Sequence, residues 1–171
     1  MAKVISRSRR LLSLYLPRWP TDRWRRRAVD AGPSPQNTAQ PDAAGRGGPL
    51  VLSGREGSKR LVMAADDRAR ALGLHPGMPL AKAQALVPGL DVHPFTPDKD
   101  ADDLHALALW ALRRYSPIVA CDAPDGLILD ITGCAHLLDG EDNLLRDLLD
   151  HLRDDGVRAR RITVTGYQML K

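Results

Sequence analysis

Apolar runs punctuated by proline and glycine divide this chain into alternating strand and helix signals. Leu11 to Leu16 has the pattern of a buried strand. Pro20 then opens a helix continued by Thr21 to Val29, since proline suits a first helical turn. Trp19 and Trp24 are expected as two ordinary core aromatics, with packing of that helix on the sheet as the alternative. Two short strands follow, Leu50 to Ser53 and Arg60 to Ala64, with Gly54 to Ser58 turning between them. A helix from Asp66 to Leu72 ends at Gly73. Pro76-Gly77-Met78-Pro79 makes a turn into a second helix, Leu80 to Leu86, which Pro88-Gly89 stops. Leu90 to His93 completes this part as a strand.

The second half is simpler. Asp98 is the expected cap of a helix running through Tyr115, with Leu104, Leu107, Ala108, Ala111, Leu112 and Tyr115 on one face and Trp110 opposite. Ile118 to Ala120 and Leu127 to Ile131 read as two strands joined at Ala123-Pro124-Asp125-Gly126. In that turn proline presets φ, and glycine would accept a positive one. Asp130, inside the second apolar run, costs stability unless it is paired or reaches the end of the sheet. Asp139 is the expected cap of a helix through Arg153, whose buried stripe is Leu144, Leu145, Leu148, Leu149 and Leu152. Val157 to Thr165 gives the last strand. Strand–helix–strand–strand–helix–strand order, with helices interposed, predicts an α/β (α+β) fold. Its ferredoxin-like sheet carries two helices on one face and a small helical insert.

Composition adds little to that picture and charge adds more. At 171 residues, with 43% hydrophobic and 27% charged positions, the chain suits one soluble domain with a real core. No apolar run approaches the ~18 residues of a membrane span, and no small-residue cleavage site follows Leu11 to Leu16. A cytoplasmic protein is expected. Cys121 and Cys134 are expected as small core residues rather than a disulfide, and Cys134-x-His136 is too slight a pattern to predict zinc. The first 30 residues carry a net charge of +7 and the other 141 a net of −3. Such a basic start favours a polyanionic partner or is only a solvated helix face.

Two stretches carry a family resemblance. VMAADDRARALGLHPGMPLAKAQALVPGL (62–90) resembles the fingers of the Y-family, or UmuC-like, translesion DNA polymerases. LALWALRRYSPIVACDAPDGLILDITGCAHL (107–137) resembles the palm helix and catalytic hairpin of the same family. The spacing between them agrees, so the likeness covers roughly residues 11–160. It implies a basic tail over 1–10, a palm over 11–30 and 90–165, a flexible loop over 31–49, a fingers-like insert over 50–89 and a divergent end over 166–171.

The departures are as informative as the match. Phosphoryl transfer by two metal ions needs several converging carboxylates. Active relatives supply one from the first strand and an adjacent Asp-Glu pair from the hairpin. Here Leu16-Pro17-Arg18 holds the first-strand position, and Gly126 follows Asp125 where Glu is expected. Asp125 is the only matching carboxylate, and Pro-Asp-Gly is by itself good turn chemistry. No catalytic residue and no metal site is therefore expected, and Mg²⁺ enters only if the chain is an enzyme after all. Arg70 matches a family arginine that contacts the incoming triphosphate, but Asp67 replaces the tyrosine three residues earlier and would repel phosphate.

This pattern is most similar to the ImuB type, polymerase-like proteins of bacterial mutagenesis cassettes. The resemblance implies a non-catalytic DNA repair factor of damage-induced (SOS) translesion synthesis. Its expected partners are a RecA-related ImuA-like protein, an error-prone replicative-type polymerase and the sliding clamp. Weak primer–template contact is expected through Arg23, Arg25, Arg26, Arg27, Arg68 and Arg70. The chain stops at Lys171, before the thumb and little-finger segments of the family, so a truncated form is expected. Two alternatives stay open: a weakly active polymerase fragment using Asp125 with Asp122 or Asp130, and an α/β interaction module indifferent to DNA.

Overall fold

A computed structural model of the chain describes residues 9–30, 47–134 and 138–167. The expected basic tail (save Arg9 and Arg10), most of the 31–49 loop, His136 and the last four residues lie outside the described residues. The chain divides into two compact units, one of Met1–Pro17 with Lys99–Lys171 and the other of Arg18–Asp98.

The first unit is an antiparallel sheet with helices on one face. Its strands are β1 (Arg9–Tyr15), β5 (Val119–Asp122), β6 (Gly126–Asp130) and β7 (Arg160–Tyr167), laid out in the order β5-β6-β1-β7. With α4 (Pro97–Arg114) and α5 (Glu141–Asp154) this is the ferredoxin-like βαββαβ arrangement. The register fixes which side faces the core. Leu12 pairs with Leu129 and Leu14 with Leu127, and all four are buried. Their neighbours Leu11, Ser13 and Ile128 are only half-buried, the alternation of a sheet with one covered face. Both helices lie on the leucine side. The Cys121 thiol, opposite Leu127, donates to the Leu104 carbonyl of α4, and Arg10 makes a two-pronged ion pair with Glu141 in the first turn of α5. Leu104, Leu107, Ala108 and Ala111 of α4 and Leu144, Leu145, Leu148 and Leu152 of α5 are buried.

The two helices are also clasped directly. The Tyr115 hydroxyl, just past α4, donates to Asp147 Oδ2 of α5 at 2.7 Å, and Arg114 flanks the pair. Burial, with Asp147 next in weight, pushes the Tyr115 hydroxyl up to about 12, and the same hydrogen bond lowers the Asp147 carboxyl. Trp110 is half-buried and packs edge-on against the Tyr115 ring at 5.3 Å. Leu112, expected in the stripe, is 39% exposed beside Leu109 at 40%.

The second unit holds α1 (Trp19–Asp30), β2 (Leu50–Glu56), β3 (Lys59–Ala65), α2 (Asp67–Ala71), α3 (Leu80–Leu86) and β4 (Asp91–Pro94). Its three-stranded sheet has the order β3-β2-β4, antiparallel on one side and parallel on the other. Val51, Val62, Ala65, Ala69, Leu74, Met78, Leu80, Ala83 and Val87 form its core. This unit takes in α1 and β4 as well as the 50–89 stretch, because Trp24 stacks on His93 with ring centroids 3.8 Å apart.

Several boundaries differ from the sequence-based expectation. β2 and β3 run on to Glu56 and from Lys59, so only Gly57 and Ser58 turn; Gly57 takes φ +60° there. Asp139 does not cap α5: it sits at φ 56°, and Gly140 holds the cap position without a side-chain bond. Helix α4 begins at Pro97, which puts Asp98 inside the first turn. The last strand starts at Arg160, because Val157 still bonds back to Leu152 at the end of α5. Among the described residues no helix is long and apolar enough to cross a membrane.

Candidate functional site

The turn between β5 and β6 meets the end of β1. Tyr15 pairs with Gly126, and the Leu16 N–H donates to the Asp125 carbonyl at 2.8 Å. The backbone thus brings together the places from which the resemblance would draw its acids. The side chains do not follow. Leu16 is fully buried, and Tyr15 is the exposed neighbour.

Gly126 also differs from expectation in its reason for being glycine. It does not lie in the positive-φ region but opens strand β6. A Cβ there would lie 2.9 Å from the Asp122 carbonyl oxygen, 3.1 Å from Asp122 Cβ and 3.3 Å from the Leu14 carbonyl oxygen. Backbone walls enclose the position, so any side chain, glutamate included, requires the strands to move.

Asp125 is half-buried in the turn. Burial raises its carboxyl above the ordinary value, and the neighbouring Asp122 charge raises it further. Asp130 stands at the far end of β6, opposite Leu11, four strand positions or roughly 13 Å from Gly126. Its carboxylate accepts the Thr132 N–H at 3.0 Å, and bonds from Thr132, the side chain's first, lower its titration. It is a capped end of the sheet, which resolves the cost the sequence attached to it. Among the described residues no three His, Cys, Asp or Glu side chains gather closely enough to hold a metal ion. One half-buried carboxyl shifted toward its neutral form, beside a closed glycine position, does not fit a pair of Mg²⁺ ions.

The arginines singled out by the sequence turn mostly inward within the second unit. Arg23 is 5% exposed and donates to Thr96 Oγ1 at 2.9 Å. Arg25 donates to the Gly48 carbonyl at 2.8 Å and pairs with Asp66 Oδ2. Arg68 reaches the Gly47 carbonyl at 2.8 Å, and Arg70 Nε the Ala65 carbonyl at 3.1 Å. Arg26 and Arg27 are exposed. Asp67, the charge expected to repel phosphate, is paired with Arg18 at 2.6 Å. Two departures from the family pattern therefore meet as one ion pair.

The residue that organises this network escaped the sequence reading. Asp66 is 6% exposed. One of its oxygens accepts the N–H groups of Ala69 at 2.8 Å and Leu50 at 3.2 Å, while the other meets Arg25. It caps α2, anchors the start of β2 and holds α1 at once. The signal was an aspartate immediately before a helix, an N-cap type; the other two contacts are tertiary.

Residues 37–165 match the family described as impB/mucB/samB. The chain belongs to that family. Protein ImuB of Caulobacter vibrioides, in strains NA1000 / CB15N and ATCC 19089 / CIP 103742 / CB 15, is 48% identical over 89 residues. That stretch is 52% of this chain and 19% of the relative, so the chain spans a minor part of the curated relatives' length. Among solved structures, the insertion ternary complex of Dbh DNA polymerase superposes with a TM-score of 0.63 at 18% identity, over 91% of this chain and 42% of that one. The Dbh post-insertion binary complex gives 0.66 at 17% identity, over 91% and 42%. DinB from Sulfolobus solfataricus gives 0.61 at 19% identity, over 88% and 40%. At such identities the likeness establishes the fold: the mixed α+β palm and fingers of Y-family polymerases, as the two sequence stretches implied.

Proposed function

We propose that this impB/mucB/samB chain is a non-catalytic, ImuB-like protein of damage-induced mutagenesis, contributing DNA contact to translesion synthesis carried out by another polymerase. The observation that carries this reading is the enclosed Gly126 beside Asp125, at the place where the β1 end supplies no acid. In keeping with the ImuB resemblance, its partners are an ImuA-like RecA-related protein, an error-prone replicative-type polymerase and the sliding clamp. Arg26 and Arg27 face solvent on α1 and serve as DNA contacts on this reading. Arg23, Arg25, Arg68 and Arg70 shape the unit that presents them.

A second reading, weak nucleotidyl transfer, draws on Asp122, whose charge acts on Asp125. Primer extension with Mg²⁺ or Mn²⁺ separates the two. The expected result is no template-dependent incorporation. Incorporation that disappears in Asp125→Ala would sink the non-catalytic reading.

A further inference from the structure

Among the described residues of the second unit, the arginine-rich helix is not where most unengaged positive charge stands. That place is the β2–β3 hairpin, exposed without a break from Arg55 to Arg60. The register sets Arg55 directly opposite Arg60 and Glu56 opposite Lys59, so the tip carries three cations and one acid. Strand alternation puts both arginines on the side of the sheet whose inner members, Ser53 and Val62, are buried. As that row leaves the core it ends in two guanidinium groups. Like charges directly across a ladder oppose the pairing of the strands. The Glu56–Lys59 pair at the tip is the one opposing influence in the register, and the arginine pair itself is left uncompensated: Arg60 bonds sideways to Ser53 Oγ at 3.3 Å, and among the described residues neither Arg55 nor Lys59 comes within ion-pair distance of a carboxylate. On the other face Met63 lies flat across Gly54, where a Cβ would come within 2.8 Å of its Cγ, which keeps the ribbon thin at its base.

We propose that this hairpin is a second nucleic-acid contact, in which Arg55, Arg60 and Lys59 take the phosphodiester backbone of a DNA strand. Guanidinium donors suit phosphate oxygens, each arginine having five N–H groups of which Arg60 directs one at Ser53. A two-stranded ribbon with an exposed tip can follow a backbone without reading bases, so the contact is indifferent to sequence. The phosphodiester also supplies the counter-charge that the cross-strand arginine pair lacks. This proposal rests on the reading that the chain meets DNA, and adds a site that the basic helix does not contain.

The test compares the parent chain, Arg55→Gln/Arg60→Gln and Arg26→Gln/Arg27→Gln by fluorescence anisotropy on one labelled primer–template, across a range of salt. Each phosphate contact contributes about −0.9 to the slope of log affinity against log salt. The hairpin variant is expected to bind about tenfold more weakly at low salt, with a slope shallower by about 2. Arg55→Lys/Arg60→Lys should restore most of the slope, and thermal melting should place the variants at or above the parent. A hairpin variant within twofold of the parent and of equal slope overturns the proposal, while loss confined to Arg26→Gln/Arg27→Gln leaves the DNA-contact reading standing without it. No binding by the parent overturns both. Loss of binding to polyglutamate with DNA binding retained overturns the proposal in favour of an acidic peptide.

Discussion

Each unit holds one aspartate where strands and a turn converge, and the two are treated in opposite ways. Asp66 is almost fully buried, yet its carboxylate is supplied by two backbone N–H groups and Arg25. Asp125 is half-buried with Asp122 as its charged neighbour, and its carboxyl is pushed toward the neutral form. A buried carboxylate persists as an ion only where donors replace its water. The second unit supplies such donors as architecture. The turn that family resemblance marks as catalytic has none, and its second position is closed by backbone. The difference between a carboxylate built into the architecture and one left without donors is thus visible in the hydrogen bonds of two residues of one type.

The largest effect expected from breaking this comparison is at Asp66. Asp66→Ala strands Arg25, the Leu50 N–H and the cap of α2 together. Removing one partner of a buried, charge-assisted network costs about 3 kcal/mol or more. Urea unfolding should show that loss in the midpoint without a matching change at Asp125→Ala. Equal, small effects at the two sites would erase the distinction.

The next test forces the missing acid back. In Gly126→Glu the new Cβ meets the Asp122 carbonyl at 2.9 Å, so strands β5 and β6 must part. Overpacking of this kind costs about 2 kcal/mol. Primer extension should stay absent, because Leu16 and Pro17 at the end of β1 still offer no carboxylate. A stable Gly126→Glu protein that extends primers with Mg²⁺ would show that a single substitution separates this chain from activity.

The fold was readable to this depth because it rests on local signals. The Leu104 to Ala111 face, four of the five stripe leucines of α5 (Leu149 is half-buried), and Leu127 and Leu129 after Asp125 bury as their periodicity dictates, whereas Ile118 in the run before it is 58% exposed. What misled were signals that depend on distant partners. The arginine run of α1 has the composition of a DNA-binding face, but Arg23 and Arg25 are consumed by Thr96, Gly48 and Asp66, up to 73 positions away. Gly126 has the look of a turn glycine, and only the strand pairing exposes it as a close-approach glycine. Asp67 and Arg18 each read as a lone charge until the fold joins them. Charge in a sequence has a sign but no address.

The smallest effect sharpens the comparison within one unit, between Asp125 and Asp147. Asp125 has a folded value raised by burial and then by Asp122, so the folded state binds that proton more tightly. Its stabilising contribution is present below the unfolded value near 3.8 and is lost as pH rises through the folded one. Asp147 is lowered, chiefly by the hydrogen bond from Tyr115. Its contribution is present above 3.8 and is lost as pH falls through the folded value. The two carboxylates therefore tilt the acid limb of stability in opposite directions. Asp125→Asn removes a penalty at neutral pH, so the gain in stability from pH 3 to pH 7 should be steeper than in the parent. Tyr115→Phe removes the main donor to Asp147, so the same gain should be shallower, alongside a general loss of about 1 kcal/mol. Tyr115→Phe should also abolish the part of the alkaline loss that falls between about 10 and about 12, where the tyrosine of the folded parent still holds its proton and that of the unfolded chain does not. Urea midpoints at a few pH values for the three proteins measure all of this. An Asp125→Asn protein that is less stable than the parent at pH 7 but equal to it at pH 3 would mean that Asp125 is held ionised by a favourable partner. The contrast with Asp66 would then fail at its weaker end.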